Sequence, residues 1–387
     1  MGDQDRISRS AVSDGRTGPR YCALVADLPA SVPFVGPETQ ERQRGRLFKA
    51  RVGANESVFG PSPQAVRAMQ AAAGEMWLYC DPENYDLKVA LAAFHGVSPH
   101  NILVGEGIDA ILGNAVRLLV EPGDPVVSSL GAYPTFNFHV AGFGGRLVRP
   151  PYREDREDPE AVLAEARRHS AKLAYFANPD NPMGTWWGAG EMQRLIEGVP
   201  DGTLLLLDEA YCDTAPASAL PPIDATDRRV LRLRTFSKAY GLAGLRVGYA
   251  IGEAGLIKCF DKIRNHFGVN RMAQVAAHAA LHDQDYLADV VERIAASRAA
   301  IAGIARNSGL APIASATNFV TIDCGGDASF ARRVLQGLID RDVFARMPGV
   351  SPLDRCIRIS AGTPVDLAVL SEALPAAVAE ARSCHAG

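Results

Sequence analysis

The sequence predicts an α/β protein: a three-layer domain on a mostly parallel sheet, followed by a smaller α+β domain. Two observations carry this. From about Leu87, short continuous apolar runs alternate with helical spacing, which is how strands buried on both faces read. Beyond Val275 the chain turns rich in alanine and charge, with long helical spacing through Ala302. A chain of 387 residues is long enough for two domains with a large shared core. The expected organisation is a flexible tail over 1–20, a segment over 21–60 packing with the small domain, a large domain over 61–282 and a small one over 283–387.

The elements follow in order. Met1 to Arg20 is polar and charged, without the apolar core of a signal peptide. Pro29, Pro33 and Pro37 predict an extended run. Leu47 to Val52 reads as a short strand, and a loop through Asn55 and Pro63 leads to a helix over Ala65 to Ala73. Leu87 to Phe94 is helical by spacing. Ile102 to Val104 is a strand ending in Gly105-Glu106-Gly107, with a helix over Asp109 to Leu119 behind it. Further strands are expected at Pro125 to Ser128, Leu173 to Phe176, Thr203 to Leu207 and Val230 to Arg234. Helical spacing then runs from Val275 to Ala302. The last elements are a strand at Phe319 to Ile322, a helix at Phe330 to Asp340, a strand at Cys356 to Ser360 and a helix at Leu367 to Ala381.

Composition narrows the function. A net charge of −4 gives no electrostatic reason for nucleic acid or an anionic membrane as partner. No apolar run approaches the roughly 20 residues that span a bilayer. Seven cysteines form no Cys-x-x-Cys pair, so zinc and thioredoxin-like readings lack support, and scattered thiols fit a reducing cytoplasm. His278 and His282 stand four apart without a third ligand, which reads as a solvated helix face rather than a metal site.

Chemistry concentrates where strands end. Ligands collect at the carboxyl ends of parallel strands, and Gly107, Phe136, Asn181, Asp208 and Lys238 each follow one closely. Lys238 lies between two hydroxyls in Thr235-Phe236-Ser237-Lys238-Ala239-Tyr240-Gly241, with Arg246 eight residues on. A buried lysine is costly unless used. An amine beside hydroxyls and a guanidinium suits a Schiff base with a phosphorylated aldehyde. In Leu207-Asp208-Glu209-Ala210-Tyr211 a carboxylate at a strand end can pair with a protonated ring nitrogen. Asn178-Pro179-Asp180-Asn181-Pro182-Met183-Gly184-Thr185 is a rigid turn, and Gly105-Glu106-Gly107-Ile108-Asp109 offers helix-start amides to a phosphate.

Together these stretches resemble the pyridoxal-phosphate aminotransferases of the aspartate-aminotransferase fold, closest to the histidinol-phosphate aminotransferase subgroup, from roughly Leu28 to the C-terminus. The resemblance implies a homodimer using pyridoxal 5'-phosphate, with small-molecule amino acids and 2-oxo acids as partners. It makes Lys238 the Schiff-base lysine and proton carrier and Asp208 the partner of the pyridine nitrogen. Tyr211 and Asn181 then hold the phenolic oxygen. Gly107 and Ile108 (through backbone N–H), Thr235, Ser237 and Arg246 hold the phosphate. Phe136, in Tyr133-Pro134-Thr135-Phe136, is the ring expected to stack on the cofactor. Tyr79, in Trp77-Leu78-Tyr79-Cys80-Asp81-Pro82, is expected to reach the neighbouring subunit's site.

For the substrate, the resemblance assigns Arg358 to the α-carboxylate, Asn55 to a loop near the substrate and Arg346 to the substrate phosphate. Substrate-facing stretches depart more from the family pattern than cofactor-facing ones. Phe34 stands for a tyrosine, and His266-Phe267-Gly268-Val269-Asn270 replaces Pro-Tyr-Asn-Val-Asn; in the cofactor-facing turn Asp180 and Met183 replace an asparagine and a threonine but leave Asn181 in place. The expected reaction is transamination. A decarboxylase resembling threonine-phosphate decarboxylase, or an amino-acid oxidase, shares the cofactor motifs.

Overall fold

The computed structural model describes residues 18–26, 28–30 and 35–383. The chain divides into two compact units, Met1–Ser31 and Val32–Gly387. In the first, one helical turn spans Ala23–Ala26, closed by Val25 and Ala26 amides on the Cys22 carbonyl. Expectations for Met1–Thr17, Pro33 and Phe34 fall outside the described residues.

All other elements belong to the second unit. Among the described residues twelve strands form three sheets: β1 Ala50–Arg51, β2 Ile102–Gly105, β3 Pro125–Ser128, β4 Arg146–Val148, β5 Leu173–Ala177, β6 Leu204–Asp208, β7 Val230–Thr235, β8 Gly248–Ile251, β9 Ala311–Pro312, β10 Phe319–Asp323, β11 Val343–Phe344 and β12 Cys356–Ser360. The main sheet runs β2-β8-β7-β6-β5-β3-β4. Its neighbours pair in parallel from β7 through β6, β5 and β3 to β4, and only β8 is antiparallel to both its neighbours.

The α/β class holds because alternate residues of the strands fill cores on opposite faces. Leu173, Tyr175, Leu204 and Leu206 pack with Ile111, Leu112 and Val116 of the helix Gly107–Leu119. Ala174, Phe176, Leu205 and Leu207 pack with Val162 and Leu195 of the helices Pro159–His169 and Ala189–Glu197 on the other side. Each fully buried leucine contributes roughly 1.5–3 kcal/mol by leaving water.

Beyond the main sheet, β12-β10-β9 is antiparallel, and β1 pairs in parallel with β11. Ala50 and Val52 share one core with Val343, Ile357, Leu338 and Leu374. This brings the loop carrying Asn55 to β12.

Several boundaries differ from expectation. Pro37 opens the helix Pro37–Arg44 instead of extending the chain, since the first helical position needs no N–H. The long helical run from Val275 is broken at His282-Asp283 into the helices Arg271–Leu281 and Gln284–Asn307. β4, β8, β9 and β11 were not expected.

Candidate active site

Strand register builds the site. Ala177 on β5 stands beside Asp208 on β6, and Asp208 beside Leu233 on β7. The Asn178 amide donates to the Asp208 carbonyl at 2.9 Å. Three strand ends therefore deliver the Asn178–Thr185 turn, Asp208 and Lys238 to one place. An inner cavity of about 120 Å³ results, lined by Ile108, Asn181, Asp208, Tyr211, Thr235, Ser237, Lys238 and Arg246 among others. It shares Tyr133, Asn181 and Lys238 with an outer cavity of about 720 Å³, which Asn55, Arg149, Arg346 and Arg358 also line.

Lys238 Nζ donates to the Asn55 carbonyl at 3.1 Å and lies 5.5 Å from the centre of the Tyr211 ring. Burial, reinforced by the positive charges of Arg358 and Arg246, pulls its amine down to about 8. Asp208 accepts from the Tyr175 hydroxyl at 2.7 Å and from the Ala210 amide at 2.9 Å. Burial pushes its carboxyl up to about 6 against those hydrogen bonds. Next to it, Glu209 is also buried but is tied to Arg232 and Arg234, each through Nε at 3.0 and 2.9 Å.

At the opposite end, Arg246 reaches Ser237 Oγ at 3.4 Å and Asp109 at 3.5 Å, and the Thr235 hydroxyl accepts the Ser237 amide at 3.1 Å. The helix Gly107–Leu119 begins here. Gly107 has φ +78°, and a Cβ on it would sit 2.4 Å from Arg246 Nη2. Gly107 backs this corner, and Ile108 forms its wall.

Tyr211 accepts a hydrogen bond from Asn55 Nδ2 at 3.0 Å, and burial lifts its phenol above the ordinary range. Asn181 Oδ1 accepts from Arg358 Nη1. Arg358 lies over the Phe319 ring at 5.1 Å, and burial draws its guanidinium down to about 10. Its Nε is buried without an acceptor, so an anion has an unspent donor to meet. Reciprocal backbone bonds hold Arg346 beside Arg358, and the Arg346 side chain donates to the Val35 carbonyl at 2.9 Å.

One expected residue stands elsewhere. Phe136 is fully buried and stacked on Tyr175, with centroids 5.0 Å apart and planes 18° from parallel. Because the helix Pro134–Gly142 starts at Pro134, Tyr133 takes the N-cap at the cavity and Phe136 turns into the core. Tyr133, with its hydroxyl on Asp109 at 2.9 Å, lines both cavities where Phe136 does not. Tyr79 lines neither cavity; it is 82 % exposed and 5.1 Å from the Phe267 ring.

Motif reading also missed Tyr175 and Arg149. A tyrosine inside the apolar run of β5 signals a hydroxyl needing a buried partner. Arg149 follows a short edge strand and carries no comparable signal.

The donor set suits a flat, phosphorylated aldehyde: an amine, a carboxylate at one end, and hydroxyls, a guanidinium and helix-start amides at the other. A family model, aminotransferase class I and II, matches residues 49–374. The chain belongs to the class I and II aminotransferases. A histidinol-phosphate aminotransferase of Mesorhizobium japonicum is 36 % identical over 335 residues, covering 84 % of this chain and 90 % of that protein. That of Moorella thermoacetica is 34 % identical over 351 residues, covering 90 % of each. The crystal structure of histidinol-phosphate aminotransferase from Sinorhizobium meliloti, in complex with pyridoxal-5'-phosphate, superposes with TM-score 0.91. It is 56 % identical, covering 94 % of this aminotransferase and 99 % of that chain. The aspartate aminotransferase of Rhizobium meliloti, at 20 % identity and TM-score 0.77, shares the fold.

Proposed function

We propose that this aminotransferase uses pyridoxal 5'-phosphate to move an amino group between an L-amino acid, of histidinol-phosphate-like, aromatic or related kind, and a 2-oxo acid. The observation that carries this is the convergence of Lys238, Asp208, Asn181, Tyr211 and Arg246 on one cavity. When bound, the cofactor supplies an aldehyde for an amine and an electron-withdrawing ring that lets the substrate α-carbon lose a proton.

The chain supplies the rest. Lys238, with its amine drawn down to about 8, holds the aldehyde and carries the proton to and from the α-carbon. Asp208 holds the proton on the ring nitrogen, and Tyr175 keeps its carboxylate aimed. Asn181 and Tyr211 orient the phenolic oxygen. Thr235, Ser237, Arg246 and the amides at Gly107 and Ile108 hold the phosphate. Arg358 takes the α-carboxylate through a planar fork, and Asn55 ties Tyr211 and Lys238 to the loop above. Arg149, Arg346 and Arg358 line the outer cavity without an acidic side chain among its lining residues. This favours donors with a second anionic group.

The working unit in this reading is a cytoplasmic homodimer in which Tyr79 reaches the partner's site. Trp77, Tyr79 and Phe267 expose a neighbouring apolar patch that suits such an interface. Among the described residues no helix is long and apolar enough to cross a membrane.

Amino donors screened against the cofactor-loaded protein test this function. A donor of the stated kind should bleach the cofactor absorbance, and an added 2-oxo acid should restore it. A protein that releases carbon dioxide, or consumes oxygen without an acceptor, contradicts it.

A further inference from the structure

The turn that presents Asn181 rests on two buried acids outside both cavities. Glu157 and Asp180 are 1 % and 2 % exposed. Glu157 accepts from Ser129 Oγ at 2.6 Å and from the Ala177 amide at 3.0 Å. Asp180 accepts from the Tyr152 hydroxyl at 2.7 Å and from the Met183 amide at 3.0 Å. Both brace one stretch of chain, since Ala177, held by Glu157, lies three residues before Asp180. Among the described residues neither has an ion-pair partner, whereas the equally buried Glu209 has two.

Two desolvated carboxylates that feel each other's charge, with no cation paired to either, do not both ionise. We infer that Glu157 and Asp180 share one proton, and that this proton holds the turn that presents Asn181 to the cavity. The proton makes one acid a hydrogen-bond donor to the other, the task an asparagine amide would perform at position 180. Asp180 also closes the turn through its backbone, donating to the Thr185 carbonyl at 2.9 Å and accepting from the Gly184 amide at 3.0 Å. Asn181 and the guanidinium of Arg358 follow directly from it. Glu157 and Asp180 are thus positioning residues that act through Asn181.

The groups facing the pair are Ser129 after β3, Tyr152, Tyr175 on β5, Asp208 on β6 and, on β12, Arg358, whose charge acts on Asp180 from a distance. Burial raises both acids, Asp180 to about 7. The folded chain therefore keeps a proton that the unfolded chain releases above the ordinary carboxylate range. That contribution is fully present below the unfolded value and is lost as pH rises through about 7.

The test is the Tm of the purified chain from about pH 5 to about pH 8, with and without pyridoxal phosphate, for wild type, Asp180→Asn, Asp180→Ala and Glu157→Gln. It reads no activity and stands apart from the proposed reaction. Wild-type Tm should fall by several degrees across the range. Asp180→Asn and Glu157→Gln should flatten that slope and equal or exceed wild type at the alkaline end. Asp180→Ala should be low throughout, because Tyr152 and Met183 lose their acceptor. Asparagine and glutamine variants that both run parallel to wild type, or both lie below it at the alkaline end, overturn the inference. If one of them fails to fold, the other decides.

Discussion

The hydroxyl of Tyr175 donates to Asp208 Oδ2 at 2.7 Å across the parallel pair β5–β6. This bond opposes the burial that raises the Asp208 carboxyl. Tyr175→Phe removes it without changing the ring that Phe136 stacks on. The Asp208 carboxyl should rise further, so the acid limb of the kcat profile should move to higher pH and kcat at neutral pH should fall roughly tenfold. A pH–rate profile of the variant checks both; an unmoved acid limb contradicts the assignment.

Lys238 should capture the cofactor unusually well near neutral pH. An amine drawn down to about 8 is partly deprotonated there, whereas a free lysine near 10.4 is not. The rate at which cofactor-free protein takes up pyridoxal phosphate should rise with pH to a midpoint near 8. Arg358→Gln removes a repelling charge and should move the midpoint up. Stopped-flow absorbance at a series of pH values measures it.

Gly107 and Arg246 admit no side chain between them, since a Cβ on Gly107 would meet Nη2 at 2.4 Å. Gly107→Ala also places alanine at φ +78°, a strain of order 1–3 kcal/mol. The displaced guanidinium should weaken the Kd for pyridoxal phosphate by about tenfold or more. Fluorescence titration gives the value, and an unchanged Kd removes Arg246 from the phosphate site.

Arg149 lies on the outer cavity with Arg346 and Arg358. Arg149→Gln should raise KM about three- to tenfold for donors ending in a second anion, with kcat little changed. Donors without that anion should be unaffected. A side-by-side kcat/KM comparison separates a substrate contact from a general loss of function.

Residues whose type and place answer to one physical demand were legible from sequence. Leu204 to Asp208 could only be a strand buried on both faces with an acid at its carboxyl end, and Lys238 could only be costly or useful. Elements whose neighbours decide them were not. β8 is a run of four residues opened by Gly248, and it becomes a strand because β2 and β7 leave a slot between them. Tyr133 and Phe136 could each have faced the cavity; the start of the helix at Pro134 chooses between them. The Glu157–Asp180 pair joins residues from separate loops, and no local pattern announces it.

Lys238, and no other lysine, should receive the cofactor. Pyridoxal phosphate is added, the adduct is reduced with borohydride, and the digested protein is mapped by mass spectrometry. The pyridoxyl mass should fall on the peptide containing Lys238, and no label should survive in Lys238→Ala. Label on Lys49, Lys88, Lys172, Lys258 or Lys262, or no label at all, would contradict the account.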